Sequence, residues 1–522
     1  MLEVIFREYD IRGLYGSELN EKSVKAIGYF LGLEMLKKGC KRVSVGYDAR
    51  YSANELFGYL VSGLNFAGTK VYDIGLVPTP LGYFSLYQGA CFNANVMITG
   101  SHNPKDYNGF KITINKESFF GAELKAFGAK VIEFLRDDEN VEKIPNNAEC
   151  EKFDILSLYI DFMSEQFAHL QGFEYEFAVD CANGASGVVI EPLLKALNLR
   201  AQVLFAEPNG QFLNHAPDPT EHENLRALQD LLAKNERLKM GFAFDGDADR
   251  MVALSRSHIF CGDELCYLFA KNIPNPRVLG EVKCSKNLFD EVAKFGTIMM
   301  GKTGHSNIKQ AMKAHSIDLA AEVSGHIFFK HRYFGYDDGI YAFLRALELL
   351  HAGFDLGAMI AALPKLYTSE EIKIPVSEDE KFILVDKFKA AVKNGELDEE
   401  LREILSANLA EFKGDLAEFC GENSGNVSEF NSVGGAKKCG ENLGVSREFN
   451  GANTDEIDIE KVGVKDICEI DGVRIDFGFG WALLRASNTS PYLITRFEAT
   501  SQALANALQK AVFSLFERIK AR

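Results

Sequence analysis

The sequence predicts an α/β protein made of three related domains followed by a separate C-terminal domain. Three observations predict it. A β-rich run enters a polar turn and then a helix-patterned stretch three times, after Val45, Val179 and Val282. A chain of 522 residues exceeds what one core supports and implies roughly three to four domains. The composition then changes character near Leu363, where Glu370 to Pro375 reads as a linker strand.

Taken in order, Asn20 is placed to cap a helix running to about Lys38, with Val24, Ile27, Leu31 and Met35 on one face and Gly39 as its stop. Arg42 to Gly46 reads as a strand entering the turn Tyr47-Asp48-Ala49-Arg50, and Lys70 to Tyr72 as another before the turn Val77-Pro78-Thr79-Pro80. The apolar run Ala94 to Ile98 is a strand feeding Thr99, and the acidic, Asn-rich Asp137 to Glu149 reads as a linker. Beyond it come a helix through Phe162 and Phe167, a strand Glu176 to Val179, a turn Asp180 to Ala185 and a strand Met240 to Phe244. The strand Arg277 to Val282 then enters Lys283-Cys284-Ser285 and a helix, and Val473 to Phe477 and Trp481 to Leu484 are strands of the last domain. Residues 408–462 are rich in Gly, Asn, Ser and Glu, and Cys420 to Asn431 resembles Cys439 to Asn450. A duplicated surface insertion explains the repeat; a metal-binding or redox cysteine pair would need histidines and a different spacing. The resulting domains are 1–145, 146–252, 253–366 and 367–522, the last carrying the insertion.

The balance of 57 basic to 74 acidic residues gives a net charge of −17, which argues against nucleic acid as a partner but not against a small phosphorylated substrate needing a few local cations. The 10 cysteines include no C-x-x-C pair, which argues against zinc and for reduced cytosolic thiols. The charged first residues do not form a signal peptide and no run reaches the ~18–20 apolar residues of a membrane span. The expected location is the cytoplasm.

Thr99-Gly100-Ser101-His102-Asn103-Pro104 sets a serine in a turn at a strand end, which exposes a hydroxyl among backbone N–H donors and suits a side chain that carries a phosphoryl group. An ordinary Asn-Pro turn is the plain alternative. A Ser-His-Asp hydrolase lacks its G-x-S-x-G elbow here. His102, as the adjacent residue, is expected to face a substrate or phosphate oxygen rather than Ser101. Lys111 is expected at the start of the next strand, returning to the same mouth. Asp245, Asp247 and Asp249 alternate, so extended backbone would point all three the same way, and three gathered carboxylates repel unless a cation joins them. An EF-hand fails because Arg250 and Arg256 stand where Gly and Glu are needed. Glu322-Val323-Ser324-Gly325-His326 offers polar groups at alternate positions for neighbouring sugar hydroxyls. Arg485-Ala486-Ser487-Asn488-Thr489-Ser490-Pro491, with Arg496, suits a phosphate.

Together these segments resemble the α-D-phosphohexomutase superfamily, and most closely its phosphomannomutase/phosphoglucomutase branch. The matching stretches are Phe6 to Gly13, Thr99 to Pro104 with Asp106 to Lys111, Asp245 to Arg250, Lys302 to His305, Glu322 to His326, Tyr333 to Tyr341 and Arg485 to Pro491. The resemblance implies four domains around a central cleft, three related α/β domains with mixed sheets and a smaller α+β C-terminal domain. It implies a phosphoserine at Ser101 and Mg²⁺ on Asp245, Asp247, Asp249 and that phosphoserine. Glu322 and Ser324 would hold sugar hydroxyls, and Arg485, Ser487, Asn488, Thr489 and Arg496 the phosphate not being transferred. Tyr9, Arg12, His102, Lys111, Arg250, Lys283, His305 and His326 would line the site, with Lys111 and Arg12 handling protons or charge. The implied reaction interconverts hexose 1-phosphate and hexose 6-phosphate through a hexose 1,6-bisphosphate, in a monomer or weak dimer without nucleic acid or membrane. Many relatives have Gly at Ala321 and Met at Val323, while relatives acting on glucosamine phosphate commonly have Gln at the second; Val323 leans toward the mannose/glucose branch. Phosphoglucosamine mutase, and a sugar phosphatase using the same serine, are the alternatives.

Overall fold

Asn20 opens the first helix as its side chain predicts. In the computed structural model, which describes residues 2–88, 92–407, 412, 462–488 and 490–522, Asn20 Oδ1 accepts from Ser23 N at 3.1 Å and Ser23 Oγ accepts from Asn20 N at 3.0 Å. This reciprocal cap starts the helix Glu21–Lys37, and Gly39 ends it at φ +81°. Val24, Ile27, Leu31 and Met35 are all fully buried. Both Cys-containing repeats of the insertion, Cys91 and Thr489 lie outside the described residues.

The chain separates into two compact units, residues 1–274 with 304–361, and residues 275–303 with 362–522. The first unit opens with a seven-stranded mixed sheet of β1 (Ile11–Leu14), β2 (Arg42–Tyr47), β3 (Lys70–Leu76), β4 (Ala94–Ile98), β5 (Tyr107–Ile114), β6 (Glu117–Ser118) and β7 (Glu151–Lys152). The order is β1-β5-β4-β2-β3-β7, with β6 on β5. β2 runs parallel to β3 and to β4, and β5 antiparallel to β4 and β1. Tyr47 lies opposite Ile98, so the chain leaves β2 and β4 at one edge, side by side. Open sheets place their ligands at that carboxyl edge.

Three expectations are corrected here. Lys111 sits mid-strand opposite Met97, because β5 pairs from Tyr107 onward with β1. The turn at Val77 is shorter than expected, because Thr79 and Pro80 already belong to the helix Thr79–Ser85, in whose first turn proline's missing N–H costs nothing. The linker 137–149 contains a short helix, Asp138–Glu142, capped by Asp137.

The second sheet has β8 (Phe177–Asp180), β9 (Ala201–Leu204), β10 (Met240–Phe244), β11 (Met251–Leu254) and β12 (Ile259–Phe260) in the order β12-β11-β10-β8-β9. β8 and β10 are parallel, with Ala243 opposite Asp180, so the Asp180 turn and the Asp245 turn also emerge together. Residues 304–361 add a hairpin, Leu319–Ala321 with Ile327–Phe329, and the buried helix Gly339–His351.

The second unit begins with a parallel pair, Arg277–Glu281 and Thr297–Gly301, joined through the helix Lys286–Ala293 that Ser285 caps. Its C-terminal part is a six-stranded antiparallel sheet centred on Gly480–Ala486 and Tyr492–Ala499. The helices Lys381–Lys393, Glu396–Ala407 and Gln502–Ala521 share a core with that sheet through Phe388, Leu401, Phe497, Leu508 and Leu515. Burying each such side chain stabilises the unit by ~1.5–3 kcal/mol. No helix among the described residues is long and apolar enough to cross a membrane.

Candidate active site

Ser101 follows β4 in a loop built by β2's turn. Thr99 Oγ1 donates to Asp48 Oδ2 at 2.7 Å, and Gly100 N donates to the same oxygen at 3.2 Å. Ser101 N donates to Thr99 Oγ1 at 2.7 Å. Ser101 itself is left-handed, with φ +49°, and is 3% exposed. Its Oγ donates to Asp245 Oδ2 at 2.9 Å. His102 Nδ1 lies 3.3 Å from the same Oγ, which corrects the expectation that adjacency keeps the two apart.

Asp245, Asp247 and Asp249 are fully buried, and their carboxylates lie within 4.8 Å of one another. They converge through a turn, with Ala248 at φ +55°, and not through the extended backbone that their alternation suggested. Gly246 lets this turn touch the serine loop: a Cβ there would stand 2.6 Å from Ser101 O. Thr79 Oγ1 donates to Asp247 Oδ2 at 2.6 Å, and Lys111 Nζ to the same oxygen at 2.7 Å and to Asp249. Burial, with Asp249 and Asp247 adding to it, pushes Asp245 well above the usual carboxylate range. Burial acts against Asp247 too, but Lys111 outweighs it and holds that group below the range. Lys111 is opposed by burial and raised by the three aspartates. Asp247 Oδ1 and Asp249 Oδ1 are buried without a hydrogen-bond partner. Clustered carboxylate oxygens with unused lone pairs fit a hard divalent cation.

Cations and imidazoles surround this centre. Arg12 Nη1 donates to Gly100 O and to Asn103 Oδ1, both at 2.6 Å, and its Nη2 pairs with Asp10. Arg250 Nε donates to His326 Nε2 at 2.9 Å, and His326 Nδ1 lies 3.1 Å from Asp337 Oδ2. Lys309 Nζ donates to Asp337 Oδ1 at 3.1 Å. The His305 ring lies 5.9 Å from those of Tyr9 and His326. Burial, then Arg250 and Arg12, lowers His102 well below an ordinary imidazole; burial, then Lys309, does the same for His305. Glu322 Oε1 accepts from Gly304 N at 2.6 Å, and Ser324 is half-buried on the same loop.

The remaining candidates belong to the second unit. Arg485 lies on the strand Gly480–Ala486 rather than in the following turn, and its Nε pairs with Asp471 at 3.1 Å. Lys283 Nζ pairs with Glu371 at 2.6 Å, and Arg496 Nη1 donates to Lys283 O at 2.8 Å. Glu371 is held below its usual range against burial, by Lys283 and then Arg496 and Arg485, so three cations share one neighbourhood. Ser487 N donates to Tyr492 O at 2.9 Å; Ser487 is buried and Asn488 half-buried. Asp48, Thr79, Lys309, Asp337, Glu371 and Asp471 were not singled out from the sequence. Their partners are distant along the chain, and the only hints were the position of Asp48 and Thr79 in strand-end turns and of Asp337 within the stretch Tyr333 to Tyr341.

Four family models match in chain order: phosphoglucomutase/phosphomannomutase alpha/beta/alpha domain I over residues 3–126, domain II over 157–258, domain III over 261–367, and the C-terminal domain over 429–515. The chain belongs to the phosphoglucomutase/phosphomannomutase family. It is therefore a phosphohexomutase with three α/β domains and a C-terminal domain, as its sequence implied. It is 34% identical to a Pseudomonas aeruginosa phosphomannomutase/phosphoglucomutase over 509 residues, 95% of this chain and 92% of that one. It is 33% identical to a Neisseria gonorrhoeae phosphoglucomutase over 526 residues, 98% of this chain and 96% of that one. The crystal structure of a Burkholderia thailandensis family protein matches with TM-score 0.77 and 29% identity, covering 99% and 98% of the two chains. An Aspergillus fumigatus N-acetylphosphoglucosamine mutase, solved with GlcNAc-6P and magnesium, shares the fold at TM-score 0.56 and 15% identity, covering 98% and 94%.

Proposed function

We propose that this family member is a phosphomannomutase/phosphoglucomutase that interconverts hexose 1-phosphate and hexose 6-phosphate. The observation that carries the assignment is the Ser101 hydroxyl, 2.9 Å from Asp245 within a buried carboxylate triad. In the forward half-reaction the bond between phosphorus and Ser101 Oγ breaks as the free sugar hydroxyl bonds to phosphorus, giving a hexose 1,6-bisphosphate. After the sugar turns around, Ser101 Oγ takes the other phosphoryl group. His102, kept neutral, has Nδ1 3.3 Å from Ser101 Oγ: it takes the serine proton when Ser101 accepts a phosphoryl group, and when Ser101 gives one up the proton of the attacking sugar hydroxyl ends on Ser101 Oγ. Lys111, Arg12 and Arg250 balance charge on the moving group, since phosphoryl transfer is mostly positioning and electrostatics.

Asp245, Asp247, Asp249 and phosphorylated Ser101 would hold Mg²⁺, which when bound neutralises charge on the transferring group. We assign the sugar's 3- and 4-hydroxyls to Glu322 and Ser324, and the phosphate not being transferred to Arg485, Ser487, Asn488, Thr489 and Arg496. Tyr9, Lys283, His305 and His326 complete the substrate contacts. None of these assignments needs the 2-hydroxyl, where mannose and glucose differ, so both sugars should be used. The net charge of −17 favours small sugar phosphates over nucleic acid, and the lack of a C-x-x-C pair among the 10 cysteines suits the cytoplasm. We place the four domains at residues 1–145, 146–252, 253–366 and 367–522.

Ser101→Ala tests the nucleophile. Turnover should vanish with the fold intact, and intact-mass measurement should show a phosphorylated fraction in the wild type that the variant lacks. A variant that still interconverts the two phosphates refutes the assignment. Release of inorganic phosphate without isomerisation would make the chain a phosphatase.

A further inference from the structure

We propose that Arg50 is a positioning residue for the reaction: its guanidinium is the template on which the nucleophile loop is set. This rests on the reading of Ser101 as the phosphoryl carrier. The Arg50 side chain is fully buried. Its Nη2 donates to Ser101 O at 2.8 Å and to Asn103 O at 2.5 Å. Its Nη1 donates to Pro104 O at 2.7 Å and to Tyr107 O at 2.9 Å. Its Nε donates to Asp48 Oδ2 at 3.3 Å. The five N–H groups of the fork are thereby committed to one loop and to Asp48, leaving no donor for a phosphate. Arg50 acts through Ser101 and not on the substrate.

The loop is held from both ends of one turn. Asp48 takes the N–H of Gly100 and the hydroxyl of Thr99, while Arg50 takes carbonyls from Ser101 to Tyr107. On its other side the guanidinium carbon lies 5.2 Å from the Phe212 ring centroid, within cation–π range. A Cβ on Gly100 would run into this guanidinium, so glycine is what lets the loop close over it. A non-glycine residue stays at φ +49° only when its surroundings impose that shape, and the bond from Arg50 to the carbonyl of Ser101 itself supplies the constraint.

Arg50→Lys keeps the charge but offers no planar fork. It should lower kcat ~10- to 100-fold, the usual effect of a slightly misplaced reacting group, while KM for the hexose phosphate stays within about threefold, because the assigned sugar and distal-phosphate contacts lie outside this loop. Millimolar guanidinium should restore activity to Arg50→Ala and leave Ser101→Ala dead. A loss of mere structural integrity would move thermal stability and the phosphorylatable fraction of Ser101, and guanidinium would not rescue it. If Arg50→Ala does not fold, Gly100→Ala pushes the loop off the same guanidinium and should show the same kcat loss without rescue. The proposal is overturned by an Arg50→Lys enzyme with wild-type kcat, by a defect confined to KM, by absence of rescue in folded Arg50→Ala, or by failure of every variant to fold. Wild-type protein devoid of mutase activity would instead remove the Ser101 reading, and Arg50's role with it.

Discussion

Replacing Gly246 by alanine should impair turnover more than it impairs folding. The added Cβ would stand 2.6 Å from Ser101 O, whereas ordinary van der Waals contact begins near 3.4 Å, so the two turns must part by about 0.8 Å. The contact atom is a backbone carbonyl and cannot rotate away. Ser101 Oγ sits 2.9 Å from Asp245, and a displacement of that size breaks the bond. Misplacing a reacting group by about 1 Å costs ~100-fold in rate, so kcat should fall ~30- to 100-fold, or ~2–2.7 kcal/mol of barrier. The assay is a coupled measurement of hexose 6-phosphate formation primed with glucose 1,6-bisphosphate, alongside thermal unfolding. A Gly246→Ala enzyme with kcat within twofold of wild type would show that the serine loop and the acidic turn are not held in contact as described.

Two further predictions concern groups that only the fold brings together. Thr79→Val removes the hydroxyl that donates to Asp247 at 2.6 Å; outer partners of metal-binding carboxylates are worth ~10- to 100-fold in affinity, so the Mg²⁺ concentration for half-maximal activity should rise by about that factor, and an unchanged requirement would refute the role. His215 is raised above its ordinary value because Asp180 outweighs the opposing effect of burial. A histidine raised in the folded state stabilises fully below the unfolded value near 6.5 and loses that contribution as pH climbs through the folded value. The melting-temperature gap between wild type and His215→Gln should therefore be wider at pH 6 than at pH 9, and an equal gap at both would sink the argument.

What the sequence made legible was local. Met240 to Phe244 reads as a strand because Lys239 and Asp245 bracket an unbroken apolar run, and β10 has those limits. Asn20 and Gly39 mark helix ends through side-chain and backbone chemistry that acts within a few residues. The serine, aspartate and arginine segments were found because each concentrates unusual chemistry in a short stretch. Thr79 was not, since its partner Asp247 lies 168 residues on and nothing in a Pro-rich turn announces it. Asp337 and Lys309 were missed for the same reason, as their bond forms only where a helix meets the loop after the 319–329 hairpin. The alternation of the aspartates gave the right convergence from the wrong backbone, because a tight turn and an extended strand can both bring alternate carboxylates together.

Lys111 lies across Asp247 and Asp249, so the protein carries its own counter-charge for these acids. A newly made chain can then close this region before any ion arrives, and stripping the ion should silence the enzyme without melting it. With the proposed cation site, folding and activation would be separate events, cation supply governing the second.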